Sequence, residues 1–320
     1  MSSRTASSER GRLITIALIV ALTLISLLLA VFALRSPTVP DAGQTPGPVP
    51  TWSSERMPAA SPTPTAPTAT PLPVAGPSRF LLFADESTGI RSTVGGCGDS
   101  DSPPLVEVTT DGGSTWQPVT FGDVVVRQVL GVEFAGAGQL DIITRQGTNC
   151  DLAALTSYTN GQFWEAVPDR LAGLTFVDPV NAATISFQGT PLPGPCSSVL
   201  QVFTAPNGLV ARCAEGLFAY DVATAGWQSF DTEPMSSAGV DPTDGSVVAS
   251  VEAAELCTGG VLVRVYRQPI TAGAGVDQPC LSQAPGSEPV ALASVGLRLW
   301  AWTPEAVLTS QDGGASWSAL

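Results

Sequence analysis

The chain holds 28 acidic residues against 14 basic ones, and every basic residue is an arginine, because histidine and lysine are both absent. Without histidine there is no imidazole to activate a serine or cysteine, and no histidine-ligated zinc. Without lysine there is no Schiff base and no phosphate-loop lysine. A net charge of −14 opposes phosphate backbones and excludes nucleic acid as a partner. No Gly-rich phosphate loop and no basic-aromatic patch is legible, so no cofactor is expected. What remains is carboxylate, Tyr or Arg chemistry, or binding alone.

The remaining chemical groups are few. Three tyrosines are present, Tyr158, Tyr220 and Tyr266. Carboxylates are numerous enough to form a glycosidase pair, although solvated surface acids are the simpler reading. Asp99-Ser100-Asp101-Ser102 offers oxygen ligands of the kind calcium takes, but it lacks a full calcium-loop pattern and reads as a polar loop. Trp300 and Trp302 share one face of a strand by the period-2 rule. They form either a sugar-stacking platform or, more simply, packing between structural units. No metal site is expected.

These residues must be held by something, and the chain has unlike parts. Residues 1–12 are polar, with Arg4, Arg10 and Arg12 against Glu9. Residues 13–34 run from Leu13 to Leu34 without a charge, 22 residues in all. As a helix that stretch spans a hydrocarbon core of about 30 Å. It is longer than a secretory apolar region, so an uncleaved signal anchor is favoured over a cleaved signal peptide. The arginines before it place the N-terminus in the cytoplasm and the rest outside, at the cell membrane in a single pass. Residues 35–77 are rich in Pro, Thr and Ser; Pro removes backbone donors and blocks helix and sheet, so this reads as a disordered, extended stalk. Residues 78–320 hold 25 acids and nine arginines, a net of −16.

From Arg79 onward the text becomes short apolar, β-branched runs broken by Gly, Pro, Asn and Asp. Examples are Phe80–Phe83, Leu140–Thr144, Val247–Val251 and Val261–Tyr266. That pattern predicts an all-β domain. A repeat narrows it. Thr109-Thr110-Asp111-Gly112-Gly113-Ser114-Thr115-Trp116 returns as Ser310-Gln311-Asp312-Gly313-Gly314-Ala315-Ser316-Trp317. A looser copy is Ser157–Trp164, and a distorted one runs from Tyr220 to Trp227. Upstream, Phe83-Ala84-Asp85, Phe134-Ala135-Gly136, Phe176-Val177-Asp178 and Gly239-Val240-Asp241 each end an apolar run. One unit therefore reads strand, turn, strand, loop, strand, Asp-Gly-Gly hairpin, Trp strand. At about 45 residues this is a four-stranded propeller blade. Clean units cover 79–120, 124–168, 239–280 and 290–320; residues 170–230 hold more than one unit and less than two clean ones. The expectation is a β-propeller of five or six blades.

The octamers match the Asp-box, or BNR, pattern Ser/Thr-x-Asp-x-Gly-x-Ser/Thr-Trp. On those residues the chain resembles the sialidase-like and sortilin-like propellers and a photosystem II assembly-factor family. The resemblance implies that Asp111, Gly113, Trp116, Asp312, Gly314 and Trp317 are structural and lie away from the ligand face. It also invites a sialidase reading, which requires an arginine triad and a Tyr–Glu pair. Arg79 sits in Arg-Phe-Leu and Arg91 in Arg-Ser-Thr, so the triad is not matched. Tyr158 and Tyr220 fall in the hairpin turns. The lysine-free, Ala/Pro/Arg-rich text points to a high-GC bacterium.

Six cysteines, Cys97, Cys150, Cys196, Cys213, Cys257 and Cys280, all lie beyond the apolar span. An even count in an oxidising compartment predicts three disulfides. Cys97 and Cys150 occupy equivalent loops of successive blades and can meet, which leaves Cys196–Cys213 and Cys257–Cys280 as local pairs.

Disulfide-stapled loops and inter-blade connections share one end of such a ring. They gather Asp99, Asp101, Asn149, Asp151 and Glu255 with Asp123, Asp169, Arg170, Asp231 and Glu233, a candidate binding face for a cationic or polar partner. The expected function is a non-catalytic, membrane-anchored binding or scaffold module for a protein, peptide or envelope component. The alternatives are a glycan-binding or glycoside-hydrolase-like propeller, and an assembly factor for a membrane complex.

Overall fold

The computed structural model describes residues 78–98, 101–136, 138–251, 257, 260–270, 275–282 and 290–320. The chain divides into two compact units, Met1–Thr68 and Ala69–Leu320. The first lies wholly outside the described residues, and so do the expected membrane span over 13–34, the Pro-rich segment over 35–77, Asp99 and Glu255. Among the described residues no helix is long and apolar enough to cross a membrane.

The second unit is all-β, a propeller of six antiparallel sheets. The first blade is β1 (Arg79–Phe83), β2 (Gly89–Thr93), β3 (Val106–Thr109) and β4 (Gln117–Pro118). The second is β5 (Val126–Gly136), β6 (Gln139–Gln146), β7 (Asp151–Ser157) and β8 (Glu165–Ala166). The third has three strands, β9 (Phe176–Val177), β10 (Thr184–Phe187) and β11 (Thr190–Pro193). The fourth is β12 (Val199–Ala205), β13 (Gly208–Cys213), β14 (Gly216–Asp221) and β15 (Gly226–Asp231). The fifth is β16 (Met235–Val240), β17 (Val247–Val251), β18 (Leu262–Tyr266) and β19 (Val276–Asp277). The sixth is β20 (Ala291–Val295), β21 (Arg298–Trp302), β22 (Val307–Ser310) and β23 (Ser318–Ala319).

Burial follows position in the blade. Middle strands are covered on both faces by neighbouring blades, so all five residues of β17 are buried, and four of them are apolar. The outermost strands β4, β8, β19 and β23 are two residues long and exposed. They carry no readable periodicity.

The core is divided into six apolar clusters, one at each seam between consecutive blades. The last joins β1 to the sixth blade, so the ring is closed by side-chain packing. β1 pairs with β2 and stays in its own sheet, while the sixth blade has its own four strands. At the closing seam Phe83 stacks on fully buried Trp300 with centroids 3.8 Å apart. Trp300 Nε1 donates to Gly112 O across the seam at 2.9 Å. Arg79 and Arg91 lie over the Trp302 ring, and Arg91 also covers Trp116, at 4.5 Å from its centroid. Trp300 and Trp302 are thus packing residues.

The third blade explains the region that resisted a repeat. After β8 the chain makes a 3-10 turn over Pro168–Gly173 and builds three strands. Its open edge, β11, contains Pro191 and Pro193, which have no N–H to donate. Trp227 Nε1 donates to Pro193 O at 2.9 Å. The edge therefore offers few donors to a foreign strand.

Candidate functional site: the axial cavity

In antiparallel blades the first-to-second and third-to-fourth turns fall at one end of the ring, here termed the hairpin end. The second-to-third loops and inter-blade connections fall at the other, the loop end. The inner strands run along the axis between the two ends.

The inner strands of the first five blades line a cavity of about 270 Å³. Its wall is mostly apolar, including Phe80 and Leu82 from β1, Val132 from β5, Phe176 from β9 and Val202 from β12. Period-2 alternation turns Phe80 and Leu82 to the cavity, while Leu81 and Phe83 join the closing seam. The register of β5 against β6 shifts at three places, which twists the strand and brings a nearly continuous stretch, Gln128–Phe134, to the wall. Phe134 and Pro242 also line a second depression with Asp85, Gly138 and Asn160, all from hairpin-end turns. The cavity wall runs from Val94 and Gln128, toward the loop end, to Pro179, Pro206 and Pro242 in hairpin-end turns, where it adjoins the second depression. Five of the exposed large apolar side chains, Tyr158, Phe163, Val180, Val222 and Leu297, lie in hairpin-end turns.

Among the described residues Glu133 is the one ionisable group on the cavity wall. Its Oε1 accepts from Thr175 N at 2.8 Å and from Thr204 Oγ1 at 3.3 Å. Glu133 makes no ion pair among the described residues. Burial pushes its pKa above the ordinary carboxylate value, outweighing the hydrogen bonds from Thr175 and Thr204, and like charge on Asp141 adds to the rise.

Asp141 lies directly opposite Glu133 on β6 and is fully enclosed. Its Oδ1 accepts from Thr156 Oγ1 at 2.5 Å, and its Oδ2 from Arg170 Nη2 at 2.8 Å and Nε at 3.0 Å. Of the two adjacent carboxylates, only Asp141 is paired with an arginine. Asp141 is not free to act on anything held in the cavity.

The loop end is stapled as expected. Cys97 is bonded to Cys150, Cys196 to Cys213 and Cys257 to Cys280. The first closes 53 residues of chain between two blades. In the chain-entropy account it contributes about 4 kcal/mol. Asn149 and Asp151 flank Cys150 and are exposed. Asp101, also exposed, accepts from Gly98 N at 2.7 Å beside Cys97, so these three acids and amides cluster around one disulfide. Asp123 and Asp169 are exposed on separate inter-blade connections.

The remaining candidates are engaged in internal contacts. Arg170 turns back to Asp141. Asp231 and Glu233 are brought together on Arg264, at 2.9 and 3.1 Å. Arg264 also pairs with Asp277 at 2.5 Å, and the Tyr266 hydroxyl donates to Asp231. Burial would raise the Asp231 pKa, but the bonds from Tyr266, Glu233 N and Arg264 bring it below the ordinary value. Burial and the bond to Asp231 push the Tyr266 phenol far up. This network fastens the fourth blade to the fifth.

Glu133 and Asp141 escaped the sequence reading. The available signal was a charge inside an apolar strand run, Val129–Phe134 in one case and Leu140–Thr144 in the other.

No protein-family model matches the chain, and no curated protein matches it in sequence. Solved structures similar to it include one described as YCF48 bound to D1 peptide, at 21% identity over 78% of this chain and 82% of that one, TM-score 0.43. YCF48 from Cyanidioschyzon merolae aligns at 17% identity over 78% and 86%, TM-score 0.43. The GH74 xyloglucanase from Xanthomonas campestris aligns at 14% identity over 76% of this chain and 46% of that one, TM-score 0.40.

Proposed function

We propose that this chain is a membrane-anchored, extracytoplasmic, non-catalytic binding module whose ligand enters the axial cavity from the hairpin end. The observation that carries the reading is the apolar cavity that adjoins the second depression at Phe134 and Pro242, among hairpin-end turns. A concave, mostly apolar site with few polar groups is the usual form of a ligand pocket. The locked state of Asp141 supports binding over carboxylate-pair hydrolysis. We also place the chain with the Asp-box propellers, on the strength of its two octamers, and the anchor on the uncharged span over 13–34; a hairpin-end ligand lies on the Asp-box side, contrary to what that resemblance implies for the ligand face. The acidic loop end around Asp101 and Asp151 is the competing face.

Site-specific photo-crosslinking on intact cells tests this. A crosslinker at Pro242 is expected to capture a discrete envelope component, and one at Asp151 is expected to capture none. Capture from Asp151 and not from Pro242 would move the site to the loop end.

A further inference from the structure

Glu133 is the unusual group in the molecule. It stands in an apolar wall, held by hydrogen bonds from Thr175 and Thr204 but without an ion pair among the described residues. Arg170, whose charge also acts on Glu133, is hydrogen-bonded to Asp141. A half-buried carboxylate without an ion pair is costly to a fold, which ordinarily pairs such groups. The adjoining depression is acidic as well, with Asp85 in its lining. Residues 78–320 carry a net charge of −16, and that field draws cations toward a low-dielectric opening.

Resting on the axial-cavity reading above, we propose that the cavity recognises a primary alkylammonium group, whose charge pairs with Glu133 while its carbon chain lies against Leu82, Val132 and Val202. A dry cavity of roughly 150 Å³ accommodates a benzene-sized molecule. At about 270 Å³ this one has room for a short alkyl chain and its ammonium. Two sources carry that chemistry, a free aliphatic amine and a lysine side chain of a protein partner. The raised pKa of Glu133, caused first by its burial, has a consequence for the free protein. The favourable contribution of the protonated carboxyl is complete below the unfolded pKa and is lost as pH rises through the raised folded value. An ammonium ligand stabilises the ionised form and offsets that loss.

The test uses the full-length chain in detergent micelles and two water-miscible probes of equal length, n-butylammonium and n-butanol, titrated calorimetrically. Butylammonium is expected to bind at least about tenfold more tightly than butanol. Glu133→Gln is expected to remove that difference and leave butanol binding unchanged. Val202→Trp, which fills the cavity, is expected to abolish both. Chemical denaturation against pH supplies a second readout. The wild type loses stability as pH rises, Glu133→Gln does not, and butylammonium restores the wild type alone. A blocked tripeptide with a central lysine distinguishes the sources, since tighter binding than butylammonium assigns a protein partner and weaker binding assigns a free amine. Equal binding of butanol and butylammonium, or butylammonium binding that survives Glu133→Gln, overturns the ammonium assignment alone. Failure of both probes to bind, or binding indifferent to Val202→Trp, overturns the axial-cavity reading itself.

Discussion

Asp111 and Asp312 each close a hairpin by the same bonds. Asp111 accepts from Thr115 N at 2.9 Å, from Thr115 Oγ1 at 2.6 Å and from Thr109 Oγ1 at 2.8 Å. Asp312 repeats this with Ser316 and Ser310. In the looser copy the Thr159 hydroxyl takes the carboxylate's place and accepts from Phe163 N at 2.9 Å. Gly113 and Gly314 sit at φ 93° and 101°, where a side chain would be strained. The bonds, led by the Thr115 and Ser316 hydroxyls, lower the pKa of each aspartate from 3.8 to about 2. An acid depressed by folding stabilises the protein above its unfolded pKa, and that stabilisation is lost as pH falls through the folded one. Stability should therefore decline between about pH 4 and pH 2, and the Asp111→Asn/Asp312→Asn variant should lose part of that dependence and melt lower at neutral pH. Urea midpoints measured across that window check it. A double variant with the wild-type acid slope would mean these carboxylates are not held as described.

At the scale of the element, each hairpin tryptophan packs into the seam with the preceding blade. Trp164 joins the first-to-second seam, Trp227 the third-to-fourth, Trp317 the fifth-to-sixth, and Trp116 the closing seam. The turn aims the side chain, and the neighbouring blade supplies the surface it buries. The third blade departs from this plan by ending at β11, where prolines protect the edge. Replacing both, Pro191→Thr/Pro193→Thr, restores two N–H donors to an open strand. The variant should associate in a concentration-dependent way beyond the wild type, read by sedimentation velocity. Sedimentation identical to the wild type would show that the edge is shielded by something other than its prolines.

At the scale of the whole molecule, closure is the weak point of any ring built from separate sheets. Among the described residues no strand is exchanged between the first and sixth blades, so the join depends on Phe83, Trp300, Trp302 and the arginines over them. Asp241 assists at the neighbouring seam, where its Oδ2 accepts from Gly296 N at 2.5 Å. Trp300→Ala removes the largest fully buried side chain in the domain. A loss of about 3–5 kcal/mol in denaturant unfolding is expected, the range for aromatic truncation in a core. A loss under about 1 kcal/mol, the scale of a surface change, would show that the ring closes by other means.

The sequence alone determined what local physics dictates. Asp-Gly-Gly turns, the Trp after each, and the apolar runs ending at Phe83, Phe134, Val177 and Val240 mark hairpins and inner strands, because turn conformation and strand burial depend on residues close in the chain. Cysteine pairing was legible for a related reason. Once the blade repeat aligned Cys97 with Cys150, two short-range pairs were left, and these are the bonds observed. Blade number was undecided, because the third blade lacks its outer strand and the outer strands of four other blades are two residues long. Tertiary structure decided the environment of each charge. Asp231 and Glu233 read as part of an acidic binding face until Arg264, about thirty positions away, closed on them. Arg170 met Asp141 at a separation of 29, and Thr204 met Glu133 at 71. Partners so distant leave no local pattern. Only the ring, by wrapping five inner strands around one axis, put an unpaired carboxylate into an apolar cavity.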